Sequence, residues 1–279
     1  MKQFKDKVAV ITGGASGIGL ALAQRAAGEG MQLVLADIEE AALAAAAAEL
    51  KSKGAQVLTL KCDVSRAEDV ERLADATLKA YGGVHLVCNN AGVGGVRVRA
   101  WEASAKDWQW VLGVNVWGVI HGVRVFTPIM LGQGEAGHIV NTASAAGFVS
   151  MASTAPYAVS KHAVVTLSEV LYHDLQDEKA KVGVSVLCPA WVGTNIWNSQ
   201  RNRPDDLRDR ADTEAERAKR EQLRALLEKG RVSAADVAAM TFDAVAEDRF
   251  YIFPHPKIRK DIQTRMEDIL ALRNPTRTA

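Results

Sequence analysis

A serine, a tyrosine and a lysine between residues 144 and 161 have types and a spacing that suit acid/base chemistry. Tyr157 and Lys161 are four residues apart, so a helix after Pro156 places them on one face, a single turn from each other. Lowering the pKa of a tyrosine from ~10 by ~3 units requires about 4 kcal/mol of extra phenolate stabilisation, part of which a close lysine supplies. Ser144 follows a predicted strand, where its hydroxyl would donate a hydrogen bond to a substrate carbonyl oxygen.

A glycine-rich turn near the N-terminus would bind a phosphate group. A strand predicted over residues 8–12 runs into TGGASGIG, and an amphipathic helix is predicted over residues 20–28. Between a strand and a helix, glycines let the backbone approach a pyrophosphate, and the helix N-terminus directs its positive dipole toward it. An ordinary tight turn is the alternative. The predicted contacts are Gly13, Ser16, Gly17, Ile18 and Gly19.

Polar residues at the ends of the next strands would complete a dinucleotide site. Asp37 ends a strand predicted over residues 32–36, where a carboxylate accepts hydrogen bonds from ribose hydroxyls and repels a 2′-phosphate. This favours NAD over NADP, although Asp37 as a helix N-cap is an alternative. Asp63 and Val64 follow the third strand, where the aspartate would reach the adenine amino group or cap a helix. Asn90 follows the fourth strand in NNAG, whose small residues let the chain pass beneath the cofactor.

The bulk properties favour a small-molecule ligand. The 279 residues are 48% hydrophobic and carry a formal charge of +1, which argues against a nucleic-acid or anionic membrane surface as the main partner. The three cysteines are scattered beside apolar runs and are expected to be buried free thiols. The sequence has no leader pattern, no apolar run near ~18 residues and no metal-ligand spacing, so we expect a cytoplasmic protein without a metal.

Together, TGGASGIG, Asp37, NNAG, Ser144 and YAVSK resemble the classical short-chain dehydrogenase/reductase family over residues 5–255. Within that family, GVNVWGVIHG, GHIV and PAWVGTNI are similar to bacterial enzymes that oxidise secondary alcohols of lignin-derived aryl ethers. The resemblance implies that Tyr157 takes a hydroxyl proton while hydride passes to nicotinamide. It also implies that Lys161 holds the nicotinamide ribose and lowers the pKa of the tyrosine.

The resemblance further implies that Asn115, in a helix predicted over residues 105–124, stands beside a main-chain-bound water on the proton path from Lys161. A purely structural hydrogen bond is the alternative. After the sixth strand, the family usually has glycine where this chain has Ala190, so a left-handed backbone there would be strained by ~1 kcal/mol or more. The Val192 amide and the Thr194 hydroxyl are predicted cofactor contacts.

Four large side chains are candidates for the substrate pocket. Trp191 and Trp197 would flank its entrance, with Phe148 and Met151 opposite, and ordinary core packing is the alternative. An apolar, aromatic pocket favours a bulky secondary alcohol or ketone over a sugar or an acid. The polar block that follows predicts a substrate lid over residues 195–231. An apolar stripe on a helix predicted over residues 258–272 would seal a contact in a homo-oligomer, a tetramer or a dimer.

We therefore predict a single α/β domain over residues 1–279, a Rossmann-like, doubly wound parallel sheet of about seven strands with helices on both faces. The predicted function is NAD-dependent interconversion of a secondary alcohol and a ketone. The alternatives are an NADP-dependent ketoreductase of steroid-like or acyl substrates, epimerisation or dehydration on the same fold, and a nucleotide-binding sensor without turnover.

Overall fold

In the computed structural model, which describes residues 1–209, 211 and 213–277, seven parallel strands form one sheet. The strands are β1 (Val8–Thr12), β2 (Gln32–Asp37), β3 (Val57–Lys61), β4 (Leu86–Asn89), β5 (Gly137–Thr142), β6 (Val182–Leu187) and β7 (Tyr251–Ile252). Their order is β3-β2-β1-β4-β5-β6-β7, which confirms the predicted doubly wound sheet. The winding direction reverses between β1 and β4, and ligands bind beyond the strand carboxyl ends at such a point.

Helices cover both faces of the sheet, as predicted. They are α1 (Gly17–Gly28), α2 (Glu40–Ser52), α3 (Ala67–Tyr81), α4 (Ala105–Leu112), α5 (Gly118–Gln133), α6 (Ala155–Asp177), α7 (Glu214–Glu228), α8 (Ala234–Glu247) and α9 (Ile258–Leu270). On one face, Leu22 of α1 and Phe242 of α8 belong to one buried apolar cluster. On the other, Leu73, Phe126 and Leu171 of α3, α5 and α6 belong to a second. Burial of apolar residues on both sides fixes the sheet between the two helical layers.

The helix predicted over residues 105–124 is interrupted and ends later than predicted. A π-helical turn over Gly113–Trp117 separates α4 from α5. Gly118 follows the turn, and a Cβ added there would lie 2.6 Å from Val64 Cγ2; Gly122 similarly meets Asn89. The two glycines let α5 approach the end of β4 and the segment after β3, next to the switch point.

The helical stretch Ala105–Gln133 has the length and composition that would allow it to cross a membrane, and it is the one such stretch among the described residues. In this fold α5 packs against α3, β4 and β5, and α4 packs against α6. In the fold, therefore, α5 packs on the sheet and α4 packs on another helix.

The predicted lid, residues 195–231, contains two short 3-10 segments and α7. The 3-10 segments are Asn195–Asn202 and Asp205–Leu207. Thr213 and Glu216 form a reciprocal capping box at the start of α7. Residues 210 and 212 of the predicted lid lie outside the described residues. Its role as a lid stays a prediction.

Candidate active site

A cavity of about 960 Å³ lies at the carboxyl ends of the central strands and brings together most of the predicted site residues. Three predicted residues lie outside its wall: Gly19, Asn115 and Phe148. The predicted residues in the wall are Gly13, Ser16, Gly17, Ile18, Asp37, Asp63, Val64, Asn90, Ser144, Met151, Tyr157, Lys161, Trp191, Val192, Thr194 and Trp197.

The glycine turn is shaped by close backbone approaches. Gly13 has φ +65, and a Cβ there would lie 2.9 Å from Ala91 Cα. Gly17 has φ +56 and begins α1, facing the Thr194 side chain. Gly19 packs beneath the turn, where a Cβ would collide with the Gly13 carbonyl. The close approach explains the glycine at this position, and the predicted cofactor contact of Gly19 stays a prediction.

Asp37 lies in the cavity wall at the end of β2, with its carboxylate fixed by main-chain donors. Oδ2 accepts from the Ala15 amide at 3.0 Å and Oδ1 from the Glu39 amide at 3.1 Å. Burial raises the pKa of this carboxyl, and the amide hydrogen bonds oppose the change. Each oxygen keeps acceptor capacity for a ligand hydroxyl. The N-cap of α2 is Glu39, so the capping alternative for Asp37 is wrong.

Beside Asp37, the segment after β6 crosses to the start of α2. Arg201 Nη2 lies 2.5 Å from Glu39 Oε1, and Asn202 Nδ2 donates to the same oxygen at 2.8 Å. Sequence reasoning missed this bridge because its partners are 162 positions apart. This ion pair places the Arg201 guanidinium near the end of β2, where Glu39 compensates its charge.

Asp63 and Asn90 shape the segments after β3 and β4. Asp63 Oδ1 accepts from the Ser65 amide at 3.0 Å and the Ser65 hydroxyl at 2.7 Å, so the carboxylate organises the turn before α3. Asn90 Nδ2 donates to the Thr12 carbonyl at 3.0 Å and ties the NNAG segment to the end of β1. The hydrogen bonds of Asp63 and Asn90 thus fix two main-chain segments that form part of the cavity wall.

Tyr157 is half-buried near the start of α6, where Pro156 occupies the first turn. Burial raises the pKa of Tyr157, and contact with the Ser144 hydroxyl and the charge of Arg97 oppose that rise. The predicted lowering of this pKa by Lys161 together with a bound cofactor stays a prediction. The groups that favour the phenolate here are Ser144 and Arg97, and sequence reasoning did not single out Arg97.

Lys161 and Ser144 are both held by main-chain carbonyls at the ends of β5 and β6. Lys161 is buried, and its Nζ donates to the Thr142 carbonyl at 2.9 Å and lies 5.7 Å from the centroid of the Tyr157 ring. Burial lowers the pKa of Lys161 to about 8. The Ser144 hydroxyl donates to the Pro189 carbonyl at 3.3 Å and accepts from the Ala146 amide at 3.1 Å. The predicted serine, tyrosine and lysine thus meet at one cavity wall.

Asn115 lies in the π-helical turn, fully buried, and not in the cavity wall. Its Oδ1 accepts from the Val93 amide at 2.8 Å, and its Nδ2 donates to the Val93 carbonyl at 3.0 Å and the Ser160 hydroxyl at 3.0 Å. The side chain therefore joins the segment after β4 to α6, which fits the structural alternative for this residue.

The segment after β6 carries Ala190 without the expected strain. Ala190 does not have a positive φ, so the strain expected of a left-handed backbone at this position does not arise. Its amide donates to His255 Nδ1 at 3.2 Å, and His255 Nε2 lies 3.1 Å from the Trp191 carbonyl. Burial lowers the pKa of His255, which favours the neutral ring that accepts at Nδ1 and donates at Nε2. Hydrogen bonds with His255 thus fix this segment, which does not require the glycine that the family usually has here.

The substrate end of the cavity is partly apolar. Met151, Trp191 and Trp197 line it, and Arg224 lies over the Trp197 ring at 5.0 Å. The prediction for Phe148 is wrong. Its ring packs instead against Tyr251 and Phe253, with centroids 6.0 and 5.3 Å away, because the end of β7 supplies an aromatic cluster on that side.

Comparison with known proteins supports one family. The profile of a family described as short chain dehydrogenase matches residues 7–205. A 1-deoxy-11-beta-hydroxypentalenate dehydrogenase from Streptomyces exfoliatus is 38% identical over 270 residues, 95% of this chain and 89% of that protein. A C alpha-dehydrogenase from a Sphingobium species is 33% identical over 271 residues, 97% of this chain and 87% of that protein.

A solved structure is similar along the whole chain. It is a short chain dehydrogenase/reductase from Burkholderia phymatum in complex with NAD, 53% identical, with a TM-score of 0.97 and coverage of 100% of this chain and 99% of that one. The predicted resemblance is confirmed, including the similarity to a C alpha-dehydrogenase. The chain belongs to the short-chain dehydrogenase/reductase family of enzymes.

Proposed function

We propose that the chain is an NAD-dependent oxidoreductase that interconverts a secondary alcohol and a ketone by hydride transfer. The observation that carries this proposal is that Ser144, Tyr157 and Lys161 line the same cavity as the glycine turn and Asp37. An acid/base group and a nucleotide site in one cavity are the two parts that such a reaction requires.

The residues present fit a dinucleotide. Gly13 and Gly17 line the cavity at the start of α1, where main-chain amides would bind a pyrophosphate, and the fixed carboxylate of Asp37 offers acceptors to ribose hydroxyls. When bound, the nicotinamide exchanges a hydride with the carbinol carbon. The structure from Burkholderia phymatum contains NAD, which supports the choice of cofactor. Val192 and Thr194 are proposed contacts at the nicotinamide end.

The proton chemistry belongs to residues of this chain. Ser144 would donate a hydrogen bond to the substrate oxygen in place of its long contact with Pro189, and Tyr157 would accept the hydroxyl proton. Lys161 is proposed to hold the nicotinamide ribose from its position on the Thr142 carbonyl. The π-helical turn at Asn115 supports the proposed proton path, because such turns interrupt regular helical hydrogen bonding and recur at functional sites.

The substrate is proposed to have a bulky apolar or aromatic body. Met151, Trp191 and Trp197 provide apolar surface in the cavity. The names of two relatives, a C alpha-dehydrogenase and a hydroxypentalenate dehydrogenase, support dehydrogenation, and the latter also supports a hydroxylated substrate that carries an acid group.

Exposed apolar side chains support a homo-oligomer, a tetramer or a dimer. Met266 and Ile269 of α9 are 46% and 51% exposed, and Val170 of α6 is 50% exposed. Apolar surface of this kind is typical of subunit contacts. Light scattering of the purified protein measures the state, and a monomer at all concentrations would contradict it. We also propose a cytoplasmic location for the protein and the role of a substrate lid for residues 195–231.

A screen of aryl and alicyclic secondary alcohols with NAD tests the proposed reaction. NADH absorbance should rise with at least one class, and the reverse reaction should consume NADH with the matching ketone. Absence of turnover with every class, while NADH still binds, would instead support the nucleotide-binding sensor.

A further inference from the structure

Arg97 places a guanidinium in the wall of the cavity that contains Ser144 and Tyr157. The side chain is half-buried, whereas Val96 and Val98 on either side are buried. Lys219 Nζ donates to the Arg97 carbonyl at 2.9 Å. Packing of the two valines and the contact from α7 thus fix the main chain on both sides of this arginine.

Among the residues that the structure describes, the guanidinium of Arg97 has no anionic side chain as its partner. Within residues 1–209, 211 and 213–277, no carboxylate forms a hydrogen bond or ion pair with it, and Tyr157 is the acidic group whose charge acts on it. Arg203 shows the contrasting case, because it is buried and pairs with Asp107 at 2.6 Å. Removing a cation from water without a counterion is costly, and a ligand anion removes that cost.

Arg97 is also separated from the predicted phosphate and ribose contacts. Ser144 follows β5 and Asp37 ends β2, and β1 and β4 lie between these strands. Three strand spacings amount to about 14 Å. The segment that carries Arg97 is tied to α6, because Asn115 accepts from the Val93 amide and donates to the Ser160 hydroxyl, three residues after Tyr157. Arg97 therefore lies on the β5 side of the cavity, where the substrate reacts, and not on the adenosine side. Its ligand is therefore a group of the substrate.

We propose that Arg97 binds a carboxylate of the substrate, so that the enzyme acts on hydroxy acids, and the matching keto acids, that have an apolar body. The planar fork of a guanidinium matches a carboxylate with two parallel hydrogen bonds. Met151, Trp191 and Trp197 supply apolar surface for the remainder of the molecule. This inference rests on the proposed function and replaces the expectation that the pocket disfavours acids.

Matched acids and esters test the inference. The probes are methyl phenyl carbinol with a para carboxylate, a series of aliphatic hydroxy acids with different separations of carboxylate and carbinol, and the methyl ester of each. We expect kcat/KM for at least one acid to exceed that of its ester by about tenfold or more. Arg97→Met should remove this preference, and Arg97→Lys should retain part of it. Arg99→Met, which removes an exposed arginine two positions away, is the matched control and should keep the preference.

Two results would overturn the inference. Equal use of acids and esters by the unchanged enzyme would do so while leaving the proposed function intact. An equal loss for both in Arg97→Met would assign Arg97 to support of Tyr157 alone. If no alcohol reacts, the proposed function fails. In that case, calorimetric titration of the NAD-bound protein with para-acetylbenzoate and its methyl ester tests separately whether Arg97 binds a carboxylate. Equal affinity for the two compounds would contradict carboxylate binding.

Discussion

At the scale of single residues, Tyr157 lies between opposing electrostatic effects. Burial raises the pKa of its phenol, while Ser144 and Arg97 oppose that rise. Burial lowers the pKa of Lys161 to about 8, so this side chain loses its proton more readily than a free lysine. Its ammonium donates a hydrogen bond to the Thr142 carbonyl. In the chain without cofactor, burial thus opposes formation of the phenolate, while Ser144 and Arg97 favour it.

Asp37 carries the prediction on cofactor choice. Asp37→Ser removes the carboxylate that would accept from ribose hydroxyls and repel a 2′-phosphate. We expect NADH affinity to fall by about tenfold to 150-fold and the ratio of NADPH to NADH affinity to rise, because loss of a charged hydrogen-bond acceptor costs about 1.5 to 3 kcal/mol. Fluorescence titration with both dinucleotides measures the change. Tighter binding of NADPH than NADH by the unchanged protein would contradict this role.

Residue types alone could not place every site residue. Ser144, Tyr157 and Lys161 were predictable because strand and helix periodicity fixes where their side chains point. Phe148 was misplaced because its partners, Tyr251 and Phe253, are about 100 positions away in the chain. Arg97 carries no local signal beyond its position after NNAG. Its significance comes from burial and from the distance to other charges, which depend on the tertiary structure.

At the scale of elements, the segment after β6 is fixed to distant helices. Arg203 pairs with Asp107 at 2.6 Å, and its guanidinium carbon lies 5.3 Å from the centroid of the Trp110 ring. Asp107 also completes the capping box with Ser104 at the start of α4. One buried carboxylate thus stabilises both α4 and part of the predicted lid.

Asp107→Ala should therefore destabilise the fold. Removing one partner of a buried ion pair leaves an uncompensated charge on Arg203, and we expect a loss of about 3 to 5 kcal/mol in the free energy of unfolding. Urea denaturation followed by circular dichroism measures it. Asp205→Ala is the control, since Asp205 pairs with Arg208 in full exposure. Equal stability of the two variants would show that the Asp107 pair contributes nothing.

Elements were predictable where their signals are local. The strands predicted over residues 8–12 and 32–36 agree with β1 and β2 to within one residue at each end, because short apolar runs bounded by turn residues mark buried strands. The capping boxes at Thr213 and Ser233 follow from residues three positions apart. The π-helical turn at Gly113–Trp117 was missed, because its residues also fit a continuous helix. The partners of Asn115 within the turn, Val93 and Ser160, are 22 and 45 positions away in the chain.

At the scale of the whole molecule, a buried histidine links stability to pH. His138 on β5 is fully buried and contacts the Ser185 hydroxyl at 2.7 Å. Burial lowers the pKa of His138 to about 3, with a smaller effect of the amino terminus. An unfolded histidine titrates near ~6.5, so the unfolded chain binds one proton more than the folded chain between these values. Stability from the neutral ring is complete above ~6.5 and is lost as the pH falls toward about 3.

His138→Gln should flatten the acid side of the stability profile. In the variant, the free energy of unfolding should fall less steeply below pH ~6.5, by up to about 1.4 kcal/mol per pH unit. The reason is that one fewer proton is taken up on unfolding. Urea denaturation at several pH values between about 6.5 and 4.5 measures the slope. His173→Gln, at an exposed histidine, is the control. An unchanged slope in His138→Gln would show that His138 is already protonated in the folded protein.

Tyr157 is proposed to transfer the proton in a site that binds NAD independently of the tyrosine hydroxyl. Tyr157→Phe tests this role, by stopped-flow turnover of the best alcohol found in the screen together with NADH titration. We expect NADH affinity to stay within about threefold and kcat to fall by about 100-fold to 10,000-fold, the usual contribution of a positioned acid or base. A kcat comparable to that of the unchanged enzyme would contradict the claim.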